Sequence, residues 1–444
     1  MKTDLLQWIC CPRCRRELTM TVTRGDAVTV TDGTLACTEC GAAYPIVRGV
    51  PRFVGSDGYV GTFSYEWNKW SRVQFDPANG RRESEETFTE KTGFTPDDLG
   101  GKLVLDVGCG AGRFLEVASR WGARAIGIDF SFAVEASQAN LGERPNVDVI
   151  QADVFHLPFR DAVFDAIFSI GVLHHTRDTR EAFLSLPRHL KEGGAIAVWL
   201  YYYTDQLYNR ATDFWRRLLR PLPNWAIYAW SWLLCALFSE LYCRPFMSRR
   251  PWLTLRRVLP VNTHPDWHWR VLDTFDWYSP AYQDKGCSVE RVVGWCEESD
   301  LRGVEVLDCP TAIRARRDVE GRLPLLRLDF PNLVSRRIVI FGAGAAGRQA
   351  GELLRALGLG ARVVAVCDNS ASKHGMIVEG KVVQAFEALP REGYDFVLIA
   401  SAPGRVAIAA QLEASGLVPR HDFISLGLLL CCRPLLEQPV GEAA

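Results

Sequence analysis

From Lys102 onward, apolar runs and glycine turns alternate regularly along the chain. Leu103–Val107, apolar except for Asp106, reads as a strand; a glycine-rich turn and a helix over 112–121 follow it. The rhythm repeats, with strands at 124–128, 147–150 and 164–170 and helices at 131–140 and 179–190. A Gly193-Gly194 turn then leads into a strand at 195–201. Such alternation predicts an α/β fold with a parallel sheet and helices on both faces. Residues 205–285 break the rhythm with Trp-, Leu- and Arg-rich sequence that reads as a helical, hydrophobic insert. Residues 288–300 read as a helix capped by Ser288, and 304–307 as a strand. The Arg-rich stretch at 311–334 shows little periodicity and reads as a linker, after which a strand at 337–341 opens a second strand–helix series. The expected organisation is a short Cys-bearing domain at 1–55, an α/β domain at 60–310 carrying the 205–285 insert, the linker, and a small Rossmann-like domain at 335–430.

Composition narrows the function. A length of 444 residues fits two to four domains rather than one core. With 48% apolar and 23% charged residues, the chain is neither disordered nor of low complexity. Lys+Arg number 51 and Asp+Glu 52, so no nucleic-acid partner that works by phosphate neutralisation is expected. The first residues show no signal-peptide apolar core or cleavage site, which predicts a cytoplasmic protein whose cysteines are metal ligands or buried thiols. The apolar segment 224–243 has one charge, Glu240, and arginines on both flanks. It fits a lid helix, a membrane-surface contact through Trp225, Trp230 and Trp232, or a bilayer span, and the lid is the expectation.

Cys11-Pro12-Arg13-Cys14 and Cys37-Thr38-Glu39-Cys40-Gly41 form two C-x-x-C pairs. Each pair can bite one tetrahedral Zn²⁺, and Cys11, Cys14, Cys37 and Cys40 together close its shell, which makes the site structural. A piece this small buries too little core to fold without the metal. Cys10 is a surplus thiol, expected to be packed. With Tyr44-Pro45-Ile46 and Gly49-Val50-Pro51, the segment resembles the Trm112-like zinc ribbon.

Asp106-Val107-Gly108-Cys109-Gly110-Ala111-Gly112 follows a strand and opens a helix. Its glycines let a ligand approach the backbone, and a helix N-terminus offers free N–H groups. Further acids end later strands: Asp129 in Gly127-Ile128-Asp129-Phe130-Ser131 and Asp153 in Gln151-Ala152-Asp153-Val154. The fourth strand ends in Val172-Leu173-His174-His175. This ordered series resembles class I S-adenosylmethionine-dependent methyltransferases of the ubiquinone/menaquinone type. The resemblance implies that Asp106 and the backbone of Gly108, Cys109, Gly110 and Gly112 hold the methionine part. It implies Asp129 on the ribose, Asp153 on the adenine amino group, and Phe130 and Val154 beside the adenine ring. His174 or His175 is the candidate general base; the competing reading is that they shape the pocket and hydrogen-bond locally. The segment from Phe63 to Asn68 resembles an aromatic element that covers the cofactor in such enzymes. Tyr278 and Tyr282 are candidate substrate contacts.

Ile340-Phe341-Gly342-Ala343-Gly344-Ala345-Ala346-Gly347 is a G-x-G-x-x-G after a strand, and Asp368 lies about 20 residues on, where a ribose-binding acid belongs. This part resembles the nucleotide-binding domain of sugar-modifying acetyltransferases, which implies a nucleotide or nucleotide-sugar ligand; the alternatives are a redox role with NAD and a purely structural Rossmann unit. The combined expectation is methyl transfer to a small acceptor, a sugar or glycan precursor. The alternatives are a lipid-linked or quinone-like acceptor, and a non-catalytic binding adaptor.

Overall fold

A computed structural model describes residues 1–55, 61–202, 205–244, 250–309, 311–326, 333–401 and 404–436. The chain forms two compact units. One comprises Met1–Cys287, Trp295–Arg302 and Arg314–Leu323; the other comprises Ser288–Gly294, Gly303–Ile313 and the chain from residue 324 onward.

The first unit begins with an antiparallel four-stranded sheet, β1 (Leu18–Gly25), β2 (Val30–Cys37), β3 (Ala43–Val47) and β4 (Val50–Pro51), paired in that order. The strands β5 (Leu103–Val107), β6 (Arg124–Asp129), β7 (Val147–Gln151), β8 (Phe164–Ile170) and β9 (Leu190–Trp199) follow. With β10 (Leu301–Val306) and β11 (Ala312–Arg317) they give the sheet order β10-β11-β9-β8-β5-β6-β7. β5, β6, β7, β8 and β9 are parallel. Every residue of β5 is buried, as a central parallel strand requires. The winding reverses direction at β5, and that switch point is where such sheets bind ligands, beyond the carboxyl ends of the strands.

The cysteine-bearing domain shields the β7 edge. Phe53 N–H donates to Gln151 O at 2.9 Å, Lys2 Nζ to Val147 O at 2.6 Å, and Arg52 to Gln151 Oε1 at 2.9 Å while pairing with Glu135. An edge strand that would otherwise offer unpaired backbone to other chains is thereby covered.

Three local expectations change. The helix expected over 179–190 is Thr179–Leu184 and a short 3-10 turn, because Pro187 lacks the N–H a helix needs, and β9 already starts at Leu190. Gly193-Gly194 is not a turn before that strand but part of a bulge inside it: Phe164 pairs Leu190 while Ala166 pairs Ala195. The 311–334 linker contains β11, which joins the sheet; its residues 327–332 lie outside those described.

The insert is helical as expected: Gln206–Leu219, Asn224–Tyr242, Arg250–Val258 and Trp267–Tyr278. Helix Asn224–Tyr242 turns Ile227, Ser231, Leu234, Cys235, Ser239 and Tyr242 inward, spaced by threes and fours along one face. They pack with Leu272 and Phe275 of the helix Trp267–Tyr278. The lone acid Glu240 is held by Arg270 at 2.8 Å. Among the described residues no helix is long and apolar enough to cross a membrane, which removes the bilayer-span alternative for 224–243.

The second unit holds β12 (Ile338–Phe341), β13 (Val363–Cys367), β14 (Ile377–Val378), β15 (Lys381–Gln384), β16 (Phe396–Ile399) and β17 (Phe423–Ser425). Their order is β14-β15-β13-β12-β16-β17, and all neighbours are parallel except β14, which pairs antiparallel with β15. From β15 to β17 this is the order 3-2-1-4-5, the first five strands of the doubly wound dinucleotide-binding sheet.

Candidate functional site

In the first unit, a cavity of about 410 Å³ opens at the carboxyl ends of β5, β6 and β8. The loop after β5 forms its floor. Gly108 and Cys109 N–H donate to Ile128 O at 2.8 and 2.9 Å, and Gly110 N–H to Asp129 Oδ2 at 2.9 Å. Gly108 has φ +81°, and a Cβ there would stand 2.3 Å from Val172 Cγ1. Gly110 has φ +51° and lies under the Trp67 indole, so that ring roofs the loop.

Asp129 is locked by its own turn. Ser131 donates through N–H at 2.8 Å and Oγ at 2.7 Å to Oδ1, and Gly110 donates to Oδ2. A carboxylate has about four acceptor sites, so one remains for a ligand hydroxyl. Burial pushes its pKa up against these three donors. Asp153 caps the next turn by accepting from Phe155 N–H at 3.0 Å and contacts His156 Nδ1 at 3.3 Å. Asp129, Phe130, Asp153 and Val154 all line the cavity beside Gly108, Cys109 and Gly110.

Gly112, Asp106 and His174 do not line it. Gly112 serves packing: at φ +89° a Cβ would meet Leu141 and Ser137 at 2.8 Å. Asp106 is buried beneath the loop, and its Oδ2 has no partner among the described residues. Burial and then the nearby Asp129 raise its pKa well above the carboxylate range.

The two histidines separate cleanly. His174 is fully buried and stacked on Tyr201 at 3.8 Å, and neither ring nitrogen has a partner among the described residues. Burial holds it neutral, far below the ordinary histidine pKa. It lies outside the cavity lining. His175 lines the cavity and its Nδ1 lies 2.7 Å from Tyr282 O, so Nδ1 carries the proton and Nε2 is the acceptor. Burial brings its pKa down to about 3, which makes it a hydrogen-bond acceptor and a weak base at neutral pH. Tyr278 is buried outside the cavity wall, and Tyr282 is exposed and contributes its carbonyl.

Several cavity residues lie outside the strand-end motifs, Glu66 among them although it sits in the aromatic segment at 63–68. Glu66 comes from the helix Gly61–Lys69, Arg113 from the helix that follows the loop, and Trp269, Asp273, Asp276 and Trp277 from the helix Trp267–Tyr278. Arg113 donates to Gln74 Oε1 at 2.7 Å and Ser84 Oγ at 3.2 Å; burial lowers its pKa to about 10. Asp273 accepts from Asn262 at 2.7 Å and Gln74 at 3.3 Å, yet burial, with Asp276 adding to it, lifts its pKa to about 7. A carboxyl that binds its proton more tightly when folded loses stability as pH rises between the unfolded and folded pKa values. The Asp273 contribution to thermal stability is therefore expected to fall from about pH 4 to about pH 7 by a few kcal/mol and to level off above. Asp273→Asn should flatten that slope in melts recorded across the range; an unchanged slope would assign it to other groups.

In the N-terminal domain the four cysteine sulfurs lie within 4.8 Å of one another, with Cys11–Cys40 at 3.7 Å and Cys14–Cys37 at 3.4 Å. Tetrahedral Zn–S bonds of about 2.3 Å put sulfurs about 3.8 Å apart, so the set fits one zinc ion with no open position. Gly41 takes φ +70°, as the knuckle needs, and Cys10 is buried outside the cluster.

Residues 105–198 match the family model described as a methyltransferase domain. Residues 2–49 match the Trm112p-like protein family. Curated relatives agree with the first match. A demethylmenaquinone methyltransferase of Thermobifida fusca is 36% identical over 117 residues, 26% of this chain and 50% of its own. A tRNA U34 carboxymethyltransferase of Marinobacter nauticus is 39% identical over 106 residues, 23% and 32%. The mouse protein named "Probable tRNA methyltransferase 9B" is 37% identical over 111 residues, 24% of each chain. The chain thus spans from a quarter to half of the length of these relatives. The shared part is the methyltransferase domain; the acceptors in the relatives' names differ from one another.

In the second unit, Gly342 at φ +125° would bring a Cβ to 2.3 Å from Ala400 O, and Gly347 would bring one to 2.0 Å from Gly342 O. These two glycines permit the tight turn and the helix–strand approach, whereas Gly344 faces open space. Asp368 accepts from Ala343 N–H at 2.8 Å, Ser370 N–H at 2.9 Å and Lys373 at 2.7 Å, bonds that hold its pKa below the usual range despite partial burial.

Proposed function

We propose that this chain transfers the methyl group of S-adenosylmethionine to a small-molecule acceptor, a sugar or glycan precursor. The observation that supports it most is the cavity at the switch point, floored by the Gly108–Cys109–Gly110 backbone and flanked by Asp129 and Asp153, within the matched domain. The sulfonium supplies an already activated methyl group, so the protein's work is alignment and proton removal. In this reading Asp129 uses its free acceptor site on the ribose, Asp153 meets the adenine amino group, and Phe130 and Val154 flank the ring. Asp106 supports the loop, and His175 orients the acceptor through Nε2. Replacing Asp129 with Asn removes a charged acceptor, which costs about 1.5–3 kcal/mol, or roughly 10- to 100-fold in cofactor affinity. Calorimetry with S-adenosylhomocysteine measures it, and an unchanged affinity would overturn the assignment.

The sugar acceptor is supported by the second unit, whose strand order and glycine turn suit a nucleotide or nucleotide-sugar. A second reading, a lipid-linked acceptor, rests on the outer side of the insert, where Phe214, Trp225, Trp232 and Leu237 are exposed near Arg217 and Arg220. Sedimentation with anionic vesicles separates the two: a protein that stays in the supernatant excludes the second.

A further inference from the structure

The cavity wall contributed by helices Gly61–Lys69 and Trp267–Tyr278 carries two buried carboxyl groups that the cofactor reading does not use. Glu66 and Asp276 both line it. Glu66 is 2% exposed, and its Oε2 has no hydrogen-bond partner among the described residues. Burial, then Asp276 and Asp273, push its pKa far above the carboxylate range; burial also raises that of Asp276. The neighbouring bases are engaged elsewhere. Arg216 donates to the carbonyls of Asp276, Trp277 and Ala281, and its charge draws the pKa of Glu66 and Asp276 down, so it offsets one carboxylate of the two; Arg113 donates to Gln74 and Ser84, and the Lys91 ammonium sits 4.0 Å over the Trp199 ring. His174 and His175 are neutral, and Asp273 is held by Asn262 and Gln74. The rings of Trp67, Trp70, Trp269 and Trp277 line the same cavity. Buried carboxylates call for a counter-charge, and aromatic faces favour a cation over a neutral hydroxyl.

We propose that Glu66 and Asp276 form the acceptor subsite and receive a protonated amine, so that the methyl group is delivered to nitrogen. This rests on the methyltransferase reading above and names the acceptor class for that same site. The ammonium gives one proton to the carboxylate pair. Its freed lone pair forms the N–CH₃ bond as the S–CH₃ bond breaks, and the sulfonium becomes the neutral thioether. The product is a methylated ammonium, and the proton passes from the carboxylates to solvent.

Cyclohexylamine and cyclohexanol have nearly the same shape and differ in charge, so they isolate the prediction. Full-length protein saturated with S-adenosylhomocysteine is titrated with each at about pH 8, where an alkylamine is still protonated, and followed by tryptophan fluorescence. The amine is expected to bind at least about tenfold tighter than the alcohol. Glu66→Gln and Asp276→Asn should each erase that preference while S-adenosylhomocysteine affinity, measured separately, stays as in the parent. Equal binding of the two probes, binding of neither, or a preference that survives both substitutions overturns the proposal. Parallel loss of S-adenosylhomocysteine affinity also overturns it and assigns the pair to the cofactor. If the parent protein binds no S-adenosylhomocysteine, the methyltransferase reading itself fails.

Discussion

Alanine at Gly108 is expected to weaken cofactor binding by at least about 100-fold while leaving the fold in place. Two costs combine. A non-glycine residue at φ +81° pays about 1–2 kcal/mol for left-handed backbone. The new Cβ also meets all three outer atoms of Val172, at 2.3, 2.5 and 2.8 Å. Val172 is β-branched and stiff, and it lines the cavity, so relief moves either its side chain or the loop into the ligand's space. Overpacking of this kind costs about 1–3 kcal/mol more. Circular dichroism should match the parent, and titration with S-adenosylhomocysteine should show the loss. Adding Val172→Ala should recover part of the affinity, since it removes the clash but not the backbone strain. Undiminished binding in Gly108→Ala would show that the loop does not form the cofactor floor.

Loss of the metal should have the larger effect on stability. Purified protein is expected to carry one zinc ion per chain, bound by Cys11, Cys14, Cys37 and Cys40. Binding free energies of about 10–16 kcal/mol for such sites equal or exceed the whole stability of a typical domain, so residues 1–55 should unfold without it. Unfolding there also strips Lys2, Arg52 and Phe53 from β7 and leaves that edge open to other chains. The double substitution Cys37→Ser and Cys40→Ser should therefore abolish bound zinc, lower the melting temperature by roughly 10 °C or more and promote aggregation. Zinc analysis paired with thermal melts, with and without a chelator, reads this out. A metal-free protein with an unchanged melt would mean that the ribbon folds on its own core.

The features legible in the chain were those whose physics is local. A C-x-x-C pair must bite one ion, so its spacing is visible in a few residues, and two pairs specify the shell. A strand, a glycine turn and a helix that must approach a ligand need positive φ at set positions, and Gly108, Gly110 and Gly342 take it. Asp129 and Asp153 stand at strand ends, where the alternation already places them over the sheet.

Burial and long-range register were decided elsewhere. His174 and His175 are neighbours in sequence, but packing against Tyr201 enclosed one and exposed the other to the cavity. Asp106 turned below the loop because strand alternation sends it to the opposite side from Val107. The bulge in β9 and the membership of β11 depend on partners far along the chain. Glu66 lies in the aromatic segment at 63–68, but its meeting with Asp276 leaves no mark in spacing, since it needs two helices far apart in the chain to pack together. Their chemistry comes from desolvation and mutual repulsion, which are properties of a folded cavity and not of spacing along a chain. The sequence by itself determined the α/β class, the zinc set and the cofactor loop; the tertiary structure alone decided which charged groups line the cavity and in what state of ionisation.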